Sequence, residues 1–164
     1  MADMNEYALE LEEDTLKDRY LTFSIGHETY GIELKYVTEI MGIQAITRIP
    51  ELPEYVKGVI NLRGRIIPVI DVRLRFKKEP KDYNDRTCVI VIDINGTPIG
   101  LIVDAVSEVI TIPEKDIADP PQISKSVNNK YIKKIGKVGN DVKLLLDCEM
   151  LLSEDELTDI NKAV

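Results

Sequence analysis

Histidine and cysteine are almost missing from this 164-residue chain: His27 stands alone, and Cys88 and Cys148 lie far apart with no second pair. Metal sites need ligands at short spacing, and cysteine or serine nucleophiles need a base, so neither zinc-type chemistry nor imidazole-assisted catalysis has the residues it requires. A disulfide framework is excluded on the same count, and a reducing compartment suits the chain. Tryptophan is absent, and none of the five serines sits in a Gly-x-Ser-x-Gly setting. No apolar run approaches the roughly 18 to 20 residues that cross a bilayer. The opening MADMNEYALELEED is acidic, without the basic start and apolar stretch of a signal peptide. A cytoplasmic location is expected.

Clustered positive charge is also lacking. The formal net charge is −8, yet residues 1–19 hold seven acids and two bases, residues 149–164 hold five acids and one base, and the body between them is balanced. Nucleic acid and anionic membrane both select clustered Lys and Arg, so neither is expected as a partner. Lys77, Lys78 and Lys81 form the densest basic run and read as a solvated linker.

What is abundant is β-branched: 22 Ile and 14 Val stand against 15 Leu and only 6 Ala, which favours pleated strands over helices. Short apolar runs separated by turn residues predict strands at Tyr20 to Ile25, Glu28 to Leu34, Val37 to Gln44, Ala45 to Ile49, Gly58 to Leu62 and Arg65 to Ile70. Further strands are predicted at Thr87 to Ile94, Pro98 to Val103, Val106 to Ile112, Tyr131 to Val138 and Val142 to Leu146. Asn95-Gly96 is a strong hairpin signal, and Arg63-Gly64 and Gly26-His27 mark two more turns. One helical turn is predicted at Pro53 to Val56, a short helix capped by Asp71 over Val72 to Phe76, and a loop over Pro113 to Asn129. Ser153-Glu154-Asp155-Glu156 is a capping box that opens a C-terminal helix with Leu157 and Ile160 inward.

The plan repeats. At an offset of 69, Gly31 meets Gly100, Val37 meets Val106, Glu39 meets Glu108 and Ile40 meets Val109; at an offset of 76, Val59 meets Ile135, Ile66 meets Val142 and Asp71 meets Asp147. Two copies of about five strands would leave open edges as flat sheets, so two small barrels packed side by side are expected, with an apolar groove between them for a helical partner. The expected divisions are an acidic flexible tail over 1–18, a first barrel over 19–84, a second over 85–147 and a C-terminal helix over 148–164.

Convergent polar groups are scarce. Asp71, Asp104 and Asp147 each follow a strand, where capping or turn duty is expected. Asn61 to Arg65 holds one Gly and returns to a strand, so it presents no helix N-terminus to a phosphate. The chain is expected to be no enzyme and to hold neither metal nor cofactor. Arg63 stands out, because a hairpin turn requires Gly, Asn or Asp but never Arg, whereas an exposed Arg anchors carboxylates of a partner.

The segments Tyr30-Gly31-Ile32-Glu33, Val37-Thr38-Glu39-Ile40, Val56-Lys57-Gly58-Val59-Ile60-Asn61-Leu62-Arg63-Gly64, Ile67-Pro68-Val69-Ile70-Asp71-Val72-Arg73 and Gly100 to Val109 resemble the CheW family of chemotaxis coupling proteins. The likeness runs from about Arg19 to Leu152. It implies a mainly β fold of two tandem five-stranded SH3-like barrels and an adaptor that joins the histidine kinase CheA, through its regulatory domain, to the cytoplasmic tips of methyl-accepting chemotaxis receptors. It also implies recruitment of a cytoplasmic protein to membrane-associated receptor arrays. By position, the resemblance puts Val37, Glu39, Gly58 and Arg63 in a partner-binding region, with Val106 and Val109 lining the receptor groove. Cys88 stands where relatives often carry an aliphatic residue. The alternatives are a regulatory-domain fragment of such a kinase, which shares this fold, or a peptide-binding barrel without a signalling role.

Overall fold

A computed structural model of the chain describes residues 16–121 and 130–163. Most of the expected tail and the end of the 113–129 loop therefore lie outside the described residues. Eleven strands form: β1 (Arg19–Ile25), β2 (Glu28–Glu33), β3 (Val37–Gly42), β4 (Val56–Leu62), β5 (Arg65–Asp71), β6 (Cys88–Ile94), β7 (Thr97–Val103), β8 (Ala105–Thr111), β9 (Ile117–Ala118), β10 (Ile132–Val138) and β11 (Asp141–Leu146). Among the described residues three α-helices accompany them, α1 (Val72–Arg75), α2 (Cys148–Leu151) and α3 (Glu154–Ala163), with 3-10 turns at Leu34–Tyr36 and Glu114–Asp116.

The fold is mainly β, as the Ile and Val content predicts, and divides into a five-stranded sheet, β3-β6-β7-β5-β4, and a six-stranded sheet, β8-β1-β2-β11-β10-β9. The sheets do not follow the expected boundary at residues 84 and 85. β1 and β2 pair with β8 and β11 from the second repeat, while β3 pairs with β6, β5 with β7, and β4 with β5. Each repeat thus gives its first hairpin to one sheet and its remaining strands, three from the first repeat and four from the second, to the other. The chain crosses between sheets after β2 and again after β7. Matched register carries the duplication: Val37 pairs with Ile92 and Val106 with Phe23, while Val69 pairs with Gly100 and Leu145 with Gly31.

The two aspartate caps correspond as well. The Asp71 N–H donates to the Tyr55 carbonyl and the Asp147 N–H to the Tyr131 carbonyl, both at 2.8 Å. Their carboxylates then cap α1 and α2, accepting from the Leu74 and Glu149 N–H groups. The capping box forms as predicted: Glu156 N–H donates to Ser153 Oγ at 3.1 Å, and Ser153 N–H to Glu156 Oε1 at 3.0 Å.

Ala45 to Ile49 is not a strand. Only Thr47 pairs, with Val59, through two backbone bonds of 2.9 Å. Pro50 and Pro53 follow at once and bend the segment into turns instead of a longer ladder. No helical turn forms over Pro53 to Val56, where a turn closes through Val56 N–H and the Pro53 carbonyl at 3.0 Å.

One large apolar cluster draws on both sheets, joining Leu21, Ile32, Ile90 and Leu101 to the helix residues Leu151 and Ile160. Aromatic rings run through it, Phe23 on Tyr30, Tyr30 on Phe76 and Phe76 on Tyr131. The expected groove between the halves is therefore filled at its centre. Smaller clusters fill the inside of each sheet, around Ile60, Ile67 and Val91 in one and Tyr20, Ile112 and Leu145 in the other.

Candidate functional site

The β4–β5 turn and the β6–β7 turn have the same backbone. Arg63 and Gly64 sit at φ 52° and 85°, Asn95 and Gly96 at 51° and 85°. Asn61 Oδ1 accepts the Gly64 N–H at 2.8 Å, and Asp93 Oδ1 accepts the Gly96 N–H at 2.7 Å. A left-handed position favours Asn, Asp or Gly, and Arg there carries a backbone strain that Asn95 avoids. Folding alone gives no reason for Arg63.

Arg63 reaches Glu39 on β3. Its two terminal nitrogens donate to the two carboxylate oxygens, at 3.1 and 2.6 Å, in a planar fork. β3 and β4 are the two edges of the five-stranded sheet, so this pair spans the opening between them. Glu39 is largely covered while the Arg63 side chain is 76% exposed. The carboxylate thus fixes the guanidinium and leaves its outer side open to an anionic or carbonyl group of a partner. Thr38, Leu62, Arg65 and Asp93 surround the pair in a shallow depression.

The structure pairs Glu39 with Arg63 and places Val106 and Val109 on the other sheet. Gly58 is buried, with φ +144°; a Cβ there would lie 2.1 Å from the Thr47 carbonyl oxygen. It enters the site as the residue that lets the Thr47 segment close on β4. Val37 and Val106 are half-buried against the large cluster, on different sheets. Val109 is 39% exposed on β8, and Ile40, not singled out from the sequence as a site residue, is 43% exposed on β3. The offset of 69 that matches Val37 to Val106 also matches Ile40 to Val109.

Burial pushes the Cys148 thiol up to about 12, leaving it protonated and a poor nucleophile. Burial alone would raise the Asp104 carboxyl, but hydrogen bonds from Arg73 and from the Gly26 N–H hold it below its ordinary range, as befits an ion-paired joint. Among the described residues no group of three or more His, Cys, Asp or Glu could hold a metal ion, and no helix is long and apolar enough to cross a membrane.

Residues 19–156 match the sequence model of the CheW-like domain. The chain belongs to the CheW-like domain family. It is 36% identical over 144 residues to a chemotaxis protein CheW of Klebsiella aerogenes, covering 88% of this chain and 87% of the relative. A CheW of Helicobacter pylori is 36% identical over 137 residues, covering 84% and 82%. The crystal structure of the scaffolding protein CheW from Thermoanaerobacter tengcongensis superposes with a TM-score of 0.78 at 35% identity, over 85% of this chain and 94% of that one. Family membership makes the chain a chemotaxis adaptor of scaffold type and not an enzyme.

Proposed function

We propose that the chain couples methyl-accepting chemotaxis receptors to the histidine kinase CheA, binding the receptor's cytoplasmic tip and the kinase's regulatory domain from the cytoplasm and joining receptor arrays by those contacts. The observation that carries the reading is Arg63, a strained, exposed arginine oriented by Glu39 at a turn the fold could build with Asn. Val37, Glu39 and Arg63 belong to a contact surface on the five-stranded sheet, which the buried Gly58 supports by letting the Thr47 segment close on β4, and Val106 and Val109 belong to one on the six-stranded sheet. A chain displaying two such surfaces can hold two partners at once, which is what an adaptor must do.

Arg63→Asn tests the reading while keeping the turn. Assembly of the ternary complex with receptor and kinase fragments is expected to weaken by about 30-fold, the equivalent of about 2 kcal/mol for an interfacial arginine. Arg63→Lys should rescue poorly, lacking the planar fork. Normal assembly by Arg63→Asn would show that the arginine serves no partner.

A further inference from the structure

Val37 and Glu39 lie two residues apart on β3, a spacing that puts both side chains on one face of a regular strand. The pairing with β6 puts them on opposite faces. Val37 pairs with Ile92 and Ile40 with Ile90, both in the large cluster, whereas Glu39 pairs with Val91 and Met41 with Val89, both in the smaller cluster of the five-stranded sheet. The register shifts between Val37 and Glu39, so Thr38 is an extra residue with no partner of its own on β6, a β-bulge. Without it Glu39 would follow Val37 onto the large-cluster face. With it the contact surface wraps the β3 edge, and the Glu39 carboxylate meets Arg63 in the depression that Thr38, Leu62 and Val91 help to line.

A side chain holds this bulge. Thr38 Oγ1 donates to the Val91 carbonyl at 3.2 Å, across the ladder at the point where two residues of β3 oppose one of β6. The second repeat has the same irregularity, between β1 and β8, and there the hydroxyl comes from the opposite strand. Thr22 stands for Val91, 69 residues earlier; its hydroxyl donates to the Glu108 carbonyl at 2.9 Å and accepts from the Glu108 N–H at 3.2 Å. A threonine hydroxyl thus ties both bulges although the residue that carries it has changed strand. We infer that Thr38 is a positioning residue for Arg63: its hydroxyl holds the bulge that turns Glu39 onto the face of the β4–β5 turn, and Glu39 in that place holds the guanidinium for a partner.

This inference rests on the reading of Arg63 as a partner contact and adds the residue that aims it, so it is tested both with partners and without. With receptor and kinase fragments, Thr38→Val, which keeps the shape and removes the hydroxyl, should weaken ternary assembly by about fivefold and leave the unfolding midpoint of the free chain unchanged. Thr38→Ser, which restores the hydroxyl, should recover most of that loss. In an Arg63→Asn background Thr38→Val should cost nothing further, because the group it aims is gone. A loss that persists undiminished in that background would make Thr38 a direct contact and overturn the inference, as would a loss that only tracks a fall in the midpoint. Without partners, NMR of the free chain reads the fork, because a two-pronged bond hinders rotation of the guanidinium and keeps its terminal N–H signals apart. The Arg63 signals should be separate in the native chain and in Thr38→Ser, and should merge in Thr38→Val and in Glu39→Gln. Separate signals in Thr38→Val, or merged ones in the native chain, would overturn the inference whatever Arg63 binds. If the signals behave as expected while Arg63→Asn assembles normally, Thr38 still positions Arg63 and the partner reading is what fails.

Discussion

The two repeats use the same residues where they build the scaffold and different ones where they lock it or meet solvent. Tyr55 and Tyr131, 76 positions apart, hold equivalent caps. Arg75 and Leu151, also 76 apart, meet each other: Arg75 Nε donates to the Leu151 carbonyl at 2.8 Å, and the guanidinium lies over both tyrosine rings, 4.2 and 5.2 Å from their centroids. Beyond this junction the copies diverge. The first continues into the exposed 77–87 linker, pinned by Tyr83 donating to Asp71 at 2.8 Å. The second continues into α3, pinned by Glu156, which accepts from Arg75 at 2.9 Å and from Tyr55. Shared residues thus make a symmetric frame, and the unshared ones make its two surfaces unequal.

The frame itself is the first thing to break. Because each sheet takes strands from both repeats, residues 1–84 and 85–164 made as separate chains should each lack a cooperative unfolding transition, and mixing them should restore one. The cut falls in the exposed linker, so no strand is interrupted. Calorimetry of the halves and the mixture decides it. A half that folds alone as a monomer would show that the interleaved pairing is dispensable.

Next comes the contrast between Gly58 and its counterpart Lys134. Both follow a register shift in the first strand of a hairpin. At Gly58, Thr47 closes against the backbone and the conformation is one that side chains rarely adopt. Lys134 has the same place in its ladder and points an ammonium at Asp119. Gly58→Ala should destabilise by about 3 kcal/mol or more, through clash and strain together. Lys134→Ala should change stability by less than about 1 kcal/mol. Urea midpoints for the two variants measure the gap.

These contrasts explain what the sequence could and could not reveal. Strands, turns and caps depend on near neighbours, so Asn95-Gly96, Asp71 and the Ser153 to Glu156 box were readable. The repeat was readable too, from Gly31 with Gly100 and Glu39 with Glu108. Which sheet each strand joins was not. Alternation tells which face of a strand is buried and carries no information about its partners, so sequence order alone points to successive barrels. The Arg75 junction was equally hidden, because an arginine in a short helix looks solvated until two tyrosines from distant segments close over it. Glu39 and Arg63 stand out in the sequence by a different route, from motif likeness and from an arginine that turn chemistry does not require.

The Glu156 lock gives a smaller and pH-dependent effect. Burial alone would raise the Glu156 carboxyl, but the bonds from Tyr55 and the Ser153 N–H, with the Arg75 charge, bring it below its ordinary range. Asp104 is lowered in the same sense. A folded-state value below the unfolded one means that the stabilisation is complete above the unfolded carboxylate range near pH 4 and is lost as pH falls through the lower folded value. Glu156→Gln should cost about 1–3 kcal/mol at pH 7, since it leaves a mostly buried guanidinium without its counter-ion, and should make acid unfolding shallower. Equal acid profiles for native and variant chains would place the acid-sensitive joint elsewhere.

The smallest expected change is the stability of Arg63→Asn. Losing an exposed ion pair costs about 0–1 kcal/mol. Asn, however, suits the left-handed position better than Arg, as Asn95 shows at the same dihedral angles. The two effects oppose each other, and the unfolding free energy should change by no more than about 0.5 kcal/mol. The reverse exchange, Asn95→Arg, brings the strain without a carboxylate at the position of Glu39 and should cost about 1 kcal/mol. A large loss from Arg63→Asn would instead make the pair a clasp across the β3 and β4 edges. A near-zero change, beside a large loss of assembly, would mean that Arg63 and Glu39 contribute little to holding this chain together and act chiefly on what binds it.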